Sequence, residues 1–517
     1  ATLRVTPDDR TTFDLTYSYT DGEEGMRVGV PTGFLTATWR AVYYQNRPGN
    51  VANPDGVGFY PDNRDRVNFN RPQSVGTEFQ YVSGRFEYEF DATTLTVVAG
   101  HLSSELFNFG DVDGGSIDAF YEDLKVDRDS RSLEVRLASR DAQRLEWSVG
   151  AMGGQDNGVL NQKTFHGAQS PLGRPNGFEI TGADSDTTND YWAVFGQVTW
   201  NISEQFQAIF GGRYSYEEVK TIGQTRSNTV LTGVNNRSAD FSDFSPRVTL
   251  SWSPPNLGLF YATASKGFKA GGTQTSGTAQ LRNDYDPEEL WNYELGWKTE
   301  FLDKRVRVDV SAFYMDWKDV QQPIRFQFID PVTNLLRAVT GIDNAAKATS
   351  QGIELSADAL VFDGFRFGAR VGYLDAEYSE WTNALIDGLV IDVSGKPLIN
   401  APEWTVGLSA EYSRDLTAEI EGFVRAEWNY RSEQLSNTFA LRYETWPFIA
   451  PSFDFINLRA GISGDRWSVN AYAENLTDEN FFQNSYEKAF YSGVQVEPSV
   501  REIGVDVRFR FGGSGVR

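Results

Sequence analysis

Residues 501–511 read REIGVDVRFRF. Ile503, Val505, Val507, Phe509 and Phe511 fall on one face of an extended chain, and Glu502, Gly504, Asp506, Arg508 and Arg510 on the other. Side chains of a strand alternate between its two faces, so the segment predicts a strand with one apolar and one charged face. A strand of a soluble sandwich also alternates, but it rarely carries so many charges on its polar face, strand after strand. A transmembrane barrel wall meets lipid on one side and a polar lumen on the other, and it demands this pattern.

Working back from the C-terminus, the pattern recurs. Tyr293, Leu295, Trp297 and Phe301 alternate with Asn292, Glu294, Lys298 and Glu300. Val306, Val308 and Val310 alternate with Arg307, Asp309 and Ser311, and Phe365, Phe367, Ala369 and Val371 with Arg366, Gly368 and Arg370. Residues 86–90, 133–137, 145–149 and 424–431 repeat it. About nineteen strands are predicted, centred near 4, 16, 82, 98, 133, 148, 194, 210, 247, 262, 294, 311, 355, 370, 407, 425, 458, 470 and 505. The connections alternate in length. Short turns fall at 8–10, 141–143, 253–256, 303–304, 363–364 and 464–465; long loops are expected near 21–74, 155–187, 218–240, 269–287, 321–347, 379–400, 432–451 and 476–498. Short periplasmic turns and long external loops are the asymmetry of an outer-membrane barrel. The fold class expected is all-β, a transmembrane antiparallel β-barrel. Aromatics near strand ends, among them Tyr17, Tyr19, Trp200, Trp252, Trp317, Trp428 and Tyr430, are candidate interface girdles.

The bulk numbers agree. Aromatic residues make up 14% of the 517 and hydrophobic ones 40%, too rich for disorder. Mean hydropathy is −0.43, and no apolar run reaches the roughly 18 residues of a membrane helix. The net charge of −24 argues against nucleic-acid binding. No cysteine is present, which excludes disulfide, thiolate-metal and cysteine-nucleophile chemistry. His101 and His166 are the only histidines, too few for a multi-histidine metal centre.

Six blocks carry a further signal: ASKGFKAGG (264–272), PEELWNYELGWKTEFLDKRVRVDVSAFYMDWKDVQ (287–321), DNAAKATSQGIELS (343–356), GKPLINAPEW (395–404), NAYAENL (470–476) and the closing VDVRFRF. Their order and spacing resemble the barrel of TonB-dependent outer-membrane receptors, across essentially the whole chain. That family's fold is a 22-stranded barrel around an N-terminal plug. The resemblance therefore implies that these strands are its fourth to twenty-second, that residues 1–511 are barrel without plug, TonB box or first strands, and that 512–517 (GGSGVR) are an extension or tag. It implies an outer-membrane location in a Gram-negative bacterium and contact with lipid and lipopolysaccharide. It also implies coupling to the TonB complex through the plug, and uptake of a scarce large solute, with an iron–siderophore complex the first expectation. Haem, cobalamin and oligosaccharide receptors share the barrel. A non-transporting scaffold barrel of a surface complex is the alternative from a different class, and a passive pore a third.

No GxSxG, P-loop or HExxH motif stands out, and no enzyme is expected. Carboxylates at alternating positions are read as lumen lining. Solute-binding candidates by location in the external loops are Tyr43, Tyr44, Phe107, Phe165, Trp381, Phe439, Trp446 and Tyr491, with loop packing the alternative for each. Lys266, Phe268 and Lys269 lie where a strand opens into a loop; they are read either as an anion or lipopolysaccharide contact or as a rim motif. The acidic loop 110–118 offers Asp111, Asp113 and Asp118 as oxygen ligands for a calcium ion, or is a plain acidic loop. No cofactor is otherwise expected.

Overall fold

The computed structural model describes residues 1–25, 30–31, 69–112, 118–140, 144–170, 173–274, 281–329, 336–386, 389–444, 448–487, 494–498 and 500–511. Nineteen strands form one antiparallel sheet. In chain order they are β1 (Thr2–Asp8), β2 (Thr11–Gly25), β3 (Ser74–Glu89), β4 (Thr93–Asp111), β5 (Phe120–Ser139), β6 (Leu145–His166), β7 (Glu179–Asn201), β8 (Phe206–Ser227), β9 (Val230–Trp252) and β10 (Leu259–Lys269). They continue as β11 (Glu288–Phe301), β12 (Val306–Ile329), β13 (Leu336–Phe362), β14 (Phe365–Glu380), β15 (Trp404–Asp415), β16 (Glu421–Arg431), β17 (Phe453–Ser463), β18 (Trp467–Glu474) and β19 (Glu502–Phe509). Each pairs with the next in sequence. The nineteen strand centres read from the sequence each fall inside one of these strands. The sheet curls strongly, since Tyr261 of β10 and Phe455 of β17, seven strands on, line the same concavity.

Directly opposed residues of an antiparallel pair share a face, so the registers sort every side chain. One row runs Phe86, Val97, Val135, Ala151, Val194, Tyr214 and Phe244 across β3 to β9. The next residue along each strand belongs to the other face and is largely polar, as with Glu134 and Arg213. The apolar face is bounded by aromatic rings. Near the short turns Phe206, Trp252, Phe260 and Trp297 stack in a line across β8 to β11. Toward the long loops Trp192 packs on Tyr214 and Tyr216. From Phe206 to Tyr214 is eight residues, about 27 Å along the strand at roughly 3.4 Å per residue. At the usual tilt of about 35–45° this rises roughly 20 Å, most of an apolar band of about 25 Å. The apolar face is the lipid face, and the polar face lines the lumen.

The turns at the first girdle are tight. Leu302, Asp303 and Lys304 adopt consecutive left-handed conformations, and Arg305 closes the turn by donating its amide to Leu302 O at 3.1 Å. Gly364 turns β13 into β14 at φ +82, where an added Cβ would strike Ser413 O at 2.2 Å.

At the other end the sequence reading needs correction. Much of 155–187, 218–240 and 321–347, expected as loop, is strand. Strands β6 to β9 run 22, 23, 22 and 23 residues, and β12 and β13 run 24 and 27. A 23-residue strand is about 75 Å long, far more than a membrane crossing needs. The hairpin β8–β9 turns on Asn228 and Thr229, both with positive φ, the turn whose twist suits paired strands. Above the membrane both faces meet water, so alternation fades while the backbone ladder continues.

Between β10 and β17 the outer extensions carry a small core of their own. Val320, Ile324, Ala348, Tyr378, Trp381 and Leu441 are among its buried members, and the hairpin Ala384–Ile386/Leu389–Ile391 covers it. A second cluster, Phe439, Ala440, Phe448 and Ala450, packs beside it. Among the described residues, one side of the rim is thus a packed cap and the other a tall sheet with little packed upon it.

Candidate functional site

The space a solute meets is bounded by the lumenal face of the wall and its continuation up the inner face of the rim. On β3 to β6 that inner face carries an apolar patch. Thr77, Leu106, Val126 and Leu160 stand in one cross-strand row. Within the same face, Leu124 opposite Asn108 stands one row to one side, and Tyr81 with Leu102 two rows to the other. Thr77 is exposed, and the apolar side chains of these rows are half-buried. The same rows become hydroxyl-rich on β7 and β8, where Thr187 faces Thr221 at 3.3 Å. Arg128 lies among the apolar rows on β5, in register with Ser104 and Gly158. An apolar wall beside a polar one, with isolated charges between, can hold a large amphipathic solute.

The sequence-predicted residues distribute differently. Phe107 lies on the outer face of β4, its ring over Gly76, where a Cβ would meet the ring at 2.0 Å. Phe165 is on the outer face of β6, stacked on Tyr121 at 5.1 Å. Phe268 shares the outward face with Ala264. Trp381 and Phe439 are core side chains of the two cap clusters, 1% and 2% exposed, and offer no surface to a solute. Lys269 is exposed at the end of β10, opposite Glu288. Tyr43, Tyr44, Trp446 and Tyr491 lie outside the described residues, as do Asp113 and 512–517.

Lys266 sits where the wall divides. The β9–β10 ladder ends at Arg247 opposite Ser265, and beyond it β9 stays with β8 while β10 turns away. The Lys266 ammonium bridges this divide to Asp243 at 2.5 Å and Glu289 at 2.8 Å. Both carboxylates and the ammonium are thereby engaged, so Lys266 fastens a seam. Close by, Glu288 accepts the Gln321 amide at 2.7 Å, and the Gln321 side chain donates to Ala270 O at 2.7 Å. This buried polar knot ties the loop after β10 to β12.

The acidic loop is likewise bound internally. Arg71 grips Asp118 with two hydrogen bonds, at 2.6 and 3.0 Å, and lies over the Tyr121 ring at 3.8 Å. Asp111 accepts the Asn70 amide at 3.2 Å. Burial alone would raise the Asp118 carboxyl; Arg71 and the Ala168 N–H outweigh it and hold it below the ordinary range. Asp111 and Asp118 therefore face protein donors. Among the described residues no three metal-ligating side chains converge. His166 is fully buried between Phe120 and Phe178 and contacts Ser170 Oγ at 2.5 Å through Nδ1. Burial, with Arg174 nearby, pushes its pKa down to about 4. His101 pairs with Asp129 at 2.7 Å on the outer face.

The geometry stands beside three kinds of likeness. Residues 2–476 match a family described as TonB dependent receptor-like, beta-barrel. The metal-pseudopaline receptor CntO of Pseudomonas aeruginosa is 25% identical over 296 residues, which cover 56% of this chain and 37% of that protein. The probable TonB-dependent siderophore receptor PiuA of Acinetobacter baumannii is 26% identical over 261 residues, 46% of this chain and 33% of that one. The chain thus aligns with about a third of the length of these relatives. Among solved structures, the ferric yersiniabactin uptake receptor FyuA from Yersinia pestis superposes with a TM-score of 0.76 at 16% identity, covering 99% of this chain and 70% of that one. PiuA from Acinetobacter baumannii gives 0.71, covering 98% and 73%.

Proposed function

This chain belongs to the TonB-dependent receptor β-barrel family, and from that premise we propose that it forms the wall and rim of a receptor importing a ferric siderophore. Its place is the outer membrane of a Gram-negative bacterium, and the proteins it resembles are receptors and transporters rather than enzymes. The observation that carries the proposal is the inner face of the rim. Leu102, Leu106, Leu124, Val126 and Leu160 line the approach to the lumen on strands that continue directly into the membrane wall. A scarce metal wrapped in an organic chelator presents apolar and polar surface together, and an apolar patch beside a hydroxyl-rich one suits it. Two of the relatives are named as a metal-pseudopaline receptor and a probable siderophore receptor, which supports the same class. Energised passage, with a plug and TonB as partners, is part of the proposal.

The test is uptake of iron-55 supplied as a panel of ferric siderophores, in cells lacking the gene and in cells complemented with it. Loss of uptake for one chelator class, restored by the wild-type gene and reduced by Leu106→Asp with Val126→Asp, is the expected result. Unchanged uptake across the panel, with growth dependence on a metal-free solute instead, would overturn the siderophore reading.

A further inference from the structure

We infer that the free edge of β9 above the membrane docks an extended, basic segment of a partner protein; the occupant is a polypeptide, independent of the imported solute. Over 233–252 β9 is paired with β8 without interruption, yet β10 pairs with it only over 247–252. The Ser253 amide donates to Gln205 O at 2.8 Å. Counting by twos from this bond, the odd-numbered residues of β9 bond to β8, and the even-numbered ones present N–H and C=O to the other side. Beyond the seam that side is bare. Among the described residues, no backbone group of Val234, Asn236, Ser238, Asp240, Ser242 or Phe244 has a partner there.

The bare stretch is delimited at both ends. Pro246 has no amide hydrogen to donate and stands where the β10 ladder stops. At the other end a bulge between Leu231 and Gly233 breaks the register. Residues 234–244 between them span about 37 Å at roughly 3.4 Å per residue. Their even-numbered side chains point outward and are all exposed, Val234 at 64% and Phe244 at 57%. The inner side is backed by the short hairpin of Gly272–Thr273 with Asp284–Tyr285. Arg237 pairs with Asp284 at 2.7 Å, and Thr221 donates to Thr273 O at 3.3 Å. That hairpin gives the edge no backbone bond. An unpaired row of strand donors and acceptors is a template for another strand.

Three features choose the occupant. The spacing of the unpaired groups fits one extended chain added to the sheet. On the outward face Asp240 stands directly opposite Glu218, and Glu218 opposite Asp190. Lys220, opposite Ser238 on the same face, makes an ion pair with neither Asp240 nor Glu218. Like charges set opposite each other are unfavourable, and a lysine or arginine placed beside Asp240 by an added strand relieves them. Apolar residues beside Val234 and Phe244 complete the pattern. A second copy of this chain fits poorly. Two barrels related by a twofold along the membrane normal would join their β9 edges in parallel and bring Asp240 beside its own counterpart.

The experiment is fluorescence anisotropy of labelled peptides with the detergent-folded full chain. The probe is an eleven-residue peptide of alternating serine and threonine, with valine at both ends and lysine at its fifth position, opposite Asp240 in antiparallel register. One control carries glutamate at that position. Another carries N-methyl groups on the alternate amides that face β9. Expected is saturable binding of the lysine peptide, binding about tenfold weaker for the glutamate peptide, and none for the N-methylated one. Asp240→Lys reverses the preference between lysine and glutamate. Ser238→Pro removes one edge-facing N–H and spares the β8 ladder, so binding falls about tenfold or more while hydrogen exchange across β8 stays level. Should Ser238→Pro fail to fold, judged by heat-modifiable gel mobility, Asp240→Lys and the N-methylated peptide still decide. Absence of lysine-peptide binding, equal binding of the lysine and N-methylated peptides, or binding unmoved by both variants overturns the proposal. So does a cross-linked dimer that Ser238→Pro abolishes and the lysine peptide does not displace, which gives the edge to a second copy.

Discussion

The assignment of faces can be tested at one residue. Val248 lies on β9 midway between the Phe244 ring and the Trp252 ring, four residues from each, and is 39% exposed on the apolar face. Four residues are about 14 Å along the strand, so Val248 sits near the bilayer midplane. Val248→Arg should cost about 2–4 kcal/mol, the depth-dependent value for a guanidinium at the midplane of a barrel. That is a thirty- to nine-hundredfold change in the unfolding constant at about 1.36 kcal/mol per tenfold. Lost valine packing adds less than about 1 kcal/mol, because one side of the residue already meets lipid. Ser251, three residues on and opposite Tyr261, faces the lumen, and Ser251→Arg should stay within about 1 kcal/mol of wild type. The wall already accepts an arginine at 247, beside Val248 and on the lumenal side. The assay is reversible urea unfolding in short-chain lipid vesicles, followed by tryptophan fluorescence, with heat-modifiable gel mobility as a check on folding. Equal costs at 248 and 251, or a larger cost at 251, would refute the face assignment.

Three further outcomes follow from the rim. Trp381→Ala should remove about 3–5 kcal/mol from the cap core, seen as faster hydrogen exchange over 376–393 with β8 and β9 unchanged; unaltered exchange there would show that the cap does not depend on this side chain. Lys266→Met strands Asp243, which is 7% exposed, and a broken buried pair costs about 3–5 kcal/mol; exchange should rise at 241–246 and 266–271, and Lys266→Arg should recover part of the protection. His166 stays neutral in the fold down to about pH 4, whereas the unfolded chain takes up a proton near pH 6.5. Its folded pKa is the lower of the two, so stability of the 166–178 turn is retained above about pH 6.5, falls as pH drops toward 4, and levels off below, by no more than about 3 kcal/mol in all. His166→Phe should flatten the acid dependence of hydrogen exchange in that turn, and persistence of the slope would assign it to other groups.

How far the sequence spoke depended on where each strand stood. Between the girdles one face meets lipid and the other water, so hydropathy alternates and each of the nineteen strands could be located. Past the girdle both faces are wet, and TGADSDT (181–187) or KTIGQTRS (220–227) reads as loop although both are paired strand. The surviving signals were β-branched density, at Thr181, Thr187, Thr188, Thr221 and Thr225, and the Asn228-Thr229 turn. Parity was also legible and went unused. Counting by twos from lipid-facing Val97 reaches Phe107, and from Val149 reaches Phe165, which places both rings outside the lumen. The same count puts Leu102 and Leu106 inside. Trp381 and Phe439 had no such signal, since their burial is made by segments far apart in sequence, Val320 and Leu441 among the partners in the first cluster.

The two halves of the rim must also answer a solute differently. On the cap side the backbone is tied by Gln321, Glu288 and Asn344 and buttressed by Tyr378, whose phenol burial pushes up and whose hydroxyl donates to Gln322 at 3.0 Å. Moving a segment there breaks the buried Gln321–Glu288 contact, at roughly 1–3 kcal/mol for each buried group left unpaired, and the part-buried ones around it. On the β3 to β9 side the strands are held by ladder hydrogen bonds and by half-exposed pairs such as Lys125 with Glu105 and Asp127. Exposed pairs of this kind contribute little, and among the described residues no core cluster packs on these strands, so the sheet flexes at small cost. The apolar patch of Leu106, Val126 and Leu160 lies on the compliant side, and the Lys266 seam marks where compliance ends. Contact with a large solute should therefore be made by the bare sheet moving against a fixed cap. Hydrogen exchange across β3 to β9 should slow when the imported complex is added, while exchange in the 376–393 cap stays level; slowing confined to the cap would reverse the assignment of the moving and fixed halves.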